Sequence, residues 1–291
     1  DIVDATDLMR KKSIKVAIPE HLKDKICDNC GTGGDKSGSF NISTTVSFVA
    51  SSCGGYVAKH GNRAATSKSG SADLLEALGI NLKLPIDKLP IMLQECGFIF
   101  MFAQNHHPVM KHIMPIRKNI PHRTIFNILG PLTNPASAKK QLIGVFDQSY
   151  NKKIVGALKT LGSSRVMAVS SNDGLDEISI SDNTKYALLK DGDITEGEID
   201  PRAYGFKLYD KQDIKGGDAL ENGKTLYKIL EGELDGALKD IIILNSGALM
   251  YVDNLCTSIE DGISMAREAI ESKKTLAKLK QIIEISNKLG I

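Results

Sequence analysis

Residues 30–50 read Cys30-Gly-Thr-Gly-Gly-Asp-Lys-Ser-Gly-Ser-Phe-Asn-Ile-Ser-Thr-Thr-Val-Ser-Phe-Val-Ala50, and the fold is read outward from them. Residues 24–28, just ahead, have the pattern of a short strand. From Thr44 onward, apolar and small residues mix as they do in a buried helix. Between the two lie Gly31, Gly33, Gly34 and Gly38, with the hydroxyls of Thr32, Ser37, Ser39, Ser43 and Thr44. Glycine lets the backbone approach a ligand and turn its N–H groups toward it. A helix N-terminus adds unpaired donors and a partial positive charge. The plain alternative is a Gly-rich turn. So many glycines and hydroxyls framed by strand and helix favour a phosphate cradle.

A second polar cluster follows in residues 56–79. A strand over 55–58 delivers Lys59, His60, Asn62 and Arg63 at its carboxyl end. A polar loop then enters a helix at Ser71, with Leu74, Leu75 and Leu78 on its buried face and Gly79 as its stop. Taken alone, Lys59 or Arg63 reads as a solvated cation and His60 as a structural histidine. Two consecutive strands ending in donor-rich loops suggest one shared anion site, because open α/β sheets bind ligands beyond the carboxyl ends of their strands.

The remaining pattern extends this alternation. Helices are expected over 44–53, 71–78, 86–96 and 152–161, and strands over 98–103, 141–146 and 165–170. The run Phe98-Ile-Phe-Met-Phe-Ala103 suits a strand buried on both faces. A short helix is expected from Ile125, ended by Gly130-Pro131. Residues 184–199 read as an antiparallel ribbon broken at Asp191-Gly-Asp193. The last 70 or so residues are helical, with Leu226, Leu230, Leu234 and Leu238 at helical spacing, and 210–222 reads as a mobile loop. The fold class is therefore α/β, with a central, mostly parallel sheet covered by helices.

Composition narrows the function classes. Of 291 residues, 42% are hydrophobic and 25% charged, as in ordinary globular domains, and the formal net charge of +2 gives no reason to expect nucleic-acid binding. Five scattered cysteines read as reduced thiols of a cytoplasmic protein. Cys27 and Cys30 form a lone CxxC, without the second pair a zinc site needs. No apolar run approaches the ~20 residues of a membrane span, and no export signal opens the chain.

Gly31-Thr-Gly-Gly-Asp35, Asn41-Ile-Ser-Thr44, Lys59-His-Gly-Asn62 and Lys68-Ser-Gly-Ser-Ala-Asp73 resemble, in order and spacing, the anthranilate phosphoribosyltransferase family. The likeness continues through His106-His-Pro108, Arg117-Lys118, residues 123–135 and Asp173-Gly-Leu-Asp-Glu-Ile-Ser179, covering nearly the whole chain. It implies transfer of a phosphoribosyl group from phosphoribosyl diphosphate to anthranilate in tryptophan biosynthesis. It also implies a small α-helical domain, incomplete here: residues 1–24, joined by helices within about 86–120, beside an α/β domain over 25–291. Members carry further helices upstream, and these make the dimer contact. A homodimer of the complete protein is implied, as is fusion to, or association with, a glutamine amidotransferase of anthranilate synthase.

Residue roles come with the resemblance. Gly31, Thr32, Gly34, Asp35, Ser39, Asn41, Ser43, Thr44, Lys59 and Ser71 match positions that hold phosphoribosyl diphosphate. Ser43, Asp176 and Glu177 match ligands of magnesium, with two ions expected; taken alone, Asp176-Glu177 reads as a solvated loop. Gly31, Asn62, His107, Arg117 and Gly130 match the anthranilate channel, with Arg117 for the substrate carboxylate. An aromatic amine already carries a lone pair, so no strong base is needed before attack. His60 is the nearby candidate for proton transfer. Two alternatives remain at this point: a pyrimidine nucleoside phosphorylase-like enzyme of related architecture, separable by magnesium dependence, and a non-catalytic nucleic-acid-binding homologue. Gly130-Pro-Leu-Thr-Asn-Pro135 and Asp176-Glu177 favour the transferase, and the near-balanced charge speaks against the second.

Overall fold

The computed structural model describes residues 1–64, 68–120 and 122–290, and of residues 115–118 the backbone alone. Along the chain run α1 (Ile2–Lys12), β1 (Ile26–Asp28), α2 (Ile42–Ser52), β2 (Tyr56–Gly61), α3 (Ser71–Ala77), α4 (Leu89–Cys96), β3 (Phe98–Phe102), α5 (Ala103–His106), α6 (Met110–Lys118) and α7 (Phe126–Leu132). There follow β4 (Lys140–Gly144), α8 (Asn151–Thr160), β5 (Arg165–Ser171), β6 (Thr184–Lys190), β7 (Asp193–Ile199), α9 (Ala219–Glu231), α10 (Ala237–Asp253), α11 (Ile259–Glu271) and α12 (Lys274–Leu289).

The strands form one sheet of order β3-β2-β1-β4-β5-β6-β7. The first five are parallel, while β6 and β7 close one edge as the expected antiparallel ribbon. Alternation along the strands divides the core in two, as a pleated backbone requires. Leu142, Met167, Val169 and Leu188 face a large cluster with α2, α4 and α9 to α12. Their neighbours Ile143, Val145, Val166, Ala168, Ala187 and Leu189 face a smaller one with α7, α8 and the side of α1 that carries Ile2 and Val3. Phe98, Ile99 and Met101 of β3 are fully buried. So is most of α10, whose apolar surface runs all round.

Winding direction decides where the site lies. From β1 the chain builds outward through β2 to β3, then returns to add β4 on the other side of β1. The crevice beyond the carboxyl ends of β1 and β4 is the switch point of the sheet, and the Gly-rich stretch leaves β1 directly into it.

Four expectations differ in detail. β2 continues to Gly61, so Lys59 and His60 lie within the strand, in register with Phe100 and Met101 of β3, instead of beyond its end. Both find buried partners, and the Asp28 carboxylate accepts the His60 N–H. α7 runs through Gly130-Pro131. The last carbonyls of the helix find other donors, because Thr133 N–H and hydroxyl donate to that of Gly130 and the Gln141 amide donates to that of Pro131. Gly232, in the left-handed region, stops α9, so Leu234 and Leu238 lie outside the helix that carries Leu226 and Leu230. Residues 210–222 hold a short 3-10 turn (Lys211–Ile214) and the capped start of α9.

Candidate active site

The Gly-rich loop is fixed to the sheet at two points. Thr32 N–H donates to the Gly144 carbonyl at 2.8 Å, and Thr32 Oγ1 accepts from Phe146 N–H at 3.1 Å. Gly33, Gly34 and Gly38 have φ of 65°, 81° and 63°, a turn that only glycine enters without strain. Lys36, also at positive φ, is exposed. The loop ends at Asn41, the N-cap of α2, whose side chain makes no cap hydrogen bond with the helix. The first turn of α2 thus faces the crevice without a side chain of its own across it. Thr44, fully buried in that turn, has a hydroxyl without a partner among the described residues.

Carboxylates gather opposite. Asp176 and Glu177 sit half-buried on the loop after β5. The Ser43 hydroxyl and N–H lie close enough to Glu177 to favour its ionised form. Asp35 arrives from the Gly-rich loop, with Oδ2 3.4 Å from the Asp176 N. Burial, and then the charges of Asp35 and Glu177, hold the Asp176 carboxyl well above its ordinary range. Burial pushes Glu177 up to about 7, against the pull of Lys59. Such mutual repulsion among oxygen donors suits a hard divalent cation, which would relieve it. Among the described residues, no three His, Cys, Asp or Glu side chains are arranged to hold a metal by themselves. The donor set therefore fits an ion bound through Ser43, the two carboxylates and oxygens of a ligand.

Lys59, 1% exposed, is the buried cation of the site. Its Nζ donates to Asn29 O and Oδ1 at 3.3 and 3.2 Å, and burial lowers its pKa. Asn29 donates in turn to Ser43 O at 2.6 Å and accepts from Ser47 Oγ at 2.9 Å. Asp28 accepts from His60 N–H and from Asn134 Nδ2. Burial raises Asp28 to about 6, with Lys59 opposing, so it stays ionised at neutral pH.

His60 links the two groups of candidates: its Nδ1 lies 3.1 Å from the Gly130 carbonyl and its Nε2 lies 3.2 Å from His107 Nε2. Gly130 itself is exposed, as is Asn62 just past β2, and Ser71 opens α3 beside Gly61. Gly31 lies against Gly144 and the Asp176 carboxylate. Ser39 bridges to Lys215. Arg117 falls within α6, but its side chain lies outside the described residues. Cys27 is buried and Cys30 half-buried; both are free thiols, and burial raises the pKa of each.

Several participants escaped the sequence reading. Asn29 and Asp28 carry no motif signal that separates them from structural polar residues, and Asn134 lies in the Gly130–Pro135 motif without a role assigned to it there. Arg123 stacks on the Phe146 ring at 3.7 Å and donates to Gly34 O at 2.8 Å, clasping the loop from outside. Its place in the 123–135 stretch was the available hint.

Residues 23–276 match the model of the glycosyl transferase family, a/b domain. Anthranilate phosphoribosyltransferase of Chromobacterium violaceum is 47% identical over 290 residues, covering 100% of this chain and 84% of the relative. That of Rubrobacter xylanophilus is 43% identical with the same coverage. The chain belongs to the anthranilate phosphoribosyltransferase family. The fold agrees. The anthranilate phosphoribosyltransferase of Thermus thermophilus superposes with a TM-score of 0.90 at 35% identity, covering 98% of this chain and 84% of that one. The Saccharomyces cerevisiae enzyme in complex with PRPP and Mg gives 0.88 at 28% identity, covering 99% and 80%. Membership favours the transferase over the phosphorylase-like and nucleic-acid-binding alternatives. The reaction is that of the family: transfer of the phosphoribosyl group to the amino nitrogen of anthranilate, in tryptophan biosynthesis.

Proposed function

We propose that this chain carries out the transfer by dissociation of diphosphate followed by capture of the ribosyl cation, with two separate anion subsites. One observation carries the reading: Ser43, Asp35, Asp176, Glu177 and Lys59 converge on the turn of the Gly-rich loop at the switch point of the sheet. In this reading Gly31, Thr32, Gly34, Asp35, Ser39, Asn41, Thr44, Lys59 and Ser71 hold phosphoribosyl diphosphate. Ser43, Asp176 and Glu177 hold magnesium, with two ions taken as the complement. Magnesium, when bound, supplies positive charge to the departing diphosphate. Lys59 is held by Asn29 at a fixed distance from that side, so its charge needs no reorganisation as the bond breaks.

The second substrate is assigned to Gly31, Asn62, His107, Arg117 and Gly130. Arg117 takes the carboxylate, which keeps the two anionic ligands apart. The acceptor nitrogen of His60 is already engaged by His107. His60 stays the candidate for proton transfer in this reading, with the Gly130 carbonyl and His107 as the partners that fix its tautomer. Catalysis then rests on positioning and on the electrostatics of the leaving group.

The same reading takes the enzyme to be magnesium-dependent, cytoplasmic and homodimeric, with association with a glutamine amidotransferase in some settings. It takes residues 1–24, with helices within about 86–120, as part of a small helical domain beside the α/β domain of 25–291. Free thiols at all five cysteines support the reducing compartment. The direct experiment uses the fluorescence of anthranilate, which falls as product forms on adding the protein, phosphoribosyl diphosphate and magnesium. No fall, under conditions where a relative turns over, overturns the reading.

A further inference from the structure

Asn222 lies on α9, far in sequence from every motif of the site, and is 2% exposed. Its Oδ1 accepts from the Gly217 backbone N–H at 2.8 Å. A backbone N–H only donates, so this bond fixes which way the amide is turned, and Nδ2 must face the other side. There it donates to Oδ1 of Asn41 at 2.8 Å. The Asn41 amide is fixed independently from its own far end, because its Nδ2 donates to the Ser69 carbonyl at 3.2 Å and a carbonyl only accepts. Ser69 Oγ donates to the same Asn41 oxygen at 3.1 Å. Both lone pairs of Asn41 Oδ1 are thus occupied, and its second Nδ2 hydrogen is without a partner among the described residues. Asn41 is left with one thing to offer a ligand, an N–H donor, which suits an anion.

The surrounding backbone holds the relationship in place. Phe40 N–H donates to Ile214 O and Gly216 N–H to Gly38 O, each at 2.9 Å, while Ser39 bridges to Lys215. Residues 214–217 thereby form a strap across the end of the Gly-rich loop. A Cβ on Gly216 would come within 2.9 Å of Phe40 Cα and 3.1 Å of Asn222 Nδ2, so the approach depends on glycine there.

We propose that Asn222 is a positioning residue for phosphoribosyl diphosphate: it acts through Asn41, holding the carboxamide with its N–H toward the ligand. This rests on the reading of Asn41 as a contact of that substrate. Without Asn222, Oδ1 of Asn41 loses one of its two donors, and the carboxamide is held toward the ligand by Ser69 alone.

The test is a double-mutant cycle on the full chain with magnesium present. Asn222→Ala should raise KM for phosphoribosyl diphosphate about ten-fold, the size of a lost charge-assisted contact, and leave KM for anthranilate nearly unchanged. In an Asn41→Ala background the same substitution should add nothing, because coupled residues are not additive. Asn222→Ser, a smaller change that keeps a hydroxyl, is run in parallel in case the alanine variant does not fold. Additive losses, or equal losses for both substrates, overturn the inference while leaving the site intact. Asn41→Ala that binds phosphoribosyl diphosphate as tightly as the parent overturns the reading of Asn41 itself.

Discussion

Nε2 of His107 lies 3.2 Å from Nε2 of His60, and this contact has one direction. The Gly130 carbonyl, 3.1 Å from His60 Nδ1, can only accept, so the proton of a neutral His60 sits on Nδ1. His60 Nε2 is then the acceptor and His107 Nε2 the donor, which leaves Nδ1 of His107 as a bare lone pair. Burial, reinforced by the neighbouring imidazoles, holds His60 down at about 3 and His107 at about 4, so both rings are neutral at physiological pH.

That assignment has a pH signature. A histidine whose folded pKa lies below its unfolded value contributes full stability above the unfolded pKa and loses it as pH falls toward the folded one. Each such ring gives a slope of about 1.4 kcal/mol per pH unit. His60→Asn should be destabilising at pH 7, and the difference from the parent should shrink as pH falls from about 6 to 4. Urea unfolding at a series of pH values measures it. A difference that stays constant with pH contradicts the neutral buried pair.

Asp176→Asn with Glu177→Gln should abolish the magnesium-dependent rate. In the absence of divalent cation it should also raise stability. Both carboxyls have raised pKa values, so their ionised forms disfavour the folded state as pH rises to neutrality. A gain of about 1 kcal/mol corresponds to roughly 2–4 °C in Tm. Turnover that survives in the double variant, with unchanged response to chelator, would count against these residues as metal ligands.

Arg117→Ala should act on one substrate. Loss of a charge-assisted contact worth ~1.5–3 kcal/mol raises KM for anthranilate roughly ten- to hundred-fold. Turnover and KM for phosphoribosyl diphosphate should move little. Equal losses for both substrates point instead to a structural role for α6.

Gly144→Ala tests the junction between β4 and the carboxylate loop. A Cβ there would overlap the Asp176 carbonyl, which is backbone and has no flexible way out. We expect a loss of about 1–3 kcal/mol, with turnover falling further than stability because Asp176 and Glu177 move. Calorimetry beside kinetics separates the two; wild-type kinetics would be incompatible with this packing.

Gly130→Ala is the converse case. Apart from its chain neighbours and the backbone of its own helix, a Cβ at Gly130 meets no described atom within 4 Å, and the residue sits in α7 at ordinary φ. Stability should change little: alanine favours a helix over glycine by about 0.5–1 kcal/mol, and Pro131, which disfavours helical backbone in a preceding residue that carries a Cβ, offsets it. A raised KM for anthranilate with unchanged Tm would place the methyl in the substrate channel. Unchanged kinetics would remove Gly130 from it.

Much of this chain is legible locally. The apolar run Phe98–Phe102, the Asp-Gly turn between β6 and β7 and the Gly-rich stretch before α2 each announce their element within a dozen residues. The polar spacing of 31–44 and 59–73 points to the anion site for the same reason: a phosphate cradle is made of consecutive backbone groups, so its signal is contiguous. The boundary differences also share a cause. Gly130-Pro131 is a stop signal for an isolated helix, but in the fold Thr133 and Gln141 take the free carbonyls of its last turn.

Residue order alone therefore points to many of the side chains proposed for the site and to most segments that are strand or helix, because those follow from backbone sterics, periodicity and contiguous donors. The direction of the hydrogen bonds is set only in the folded chain. Gly217 turns Asn222, which with Ser69 holds Asn41; Gly130 fixes the proton on His60, which fixes that on His107. Such choices depend on groups that meet across 181 residues in one case and 70 in the other. An amide or imidazole presents the same letter in the sequence whichever way it faces, and its orientation exists only once a backbone group that can solely donate or solely accept is packed against it.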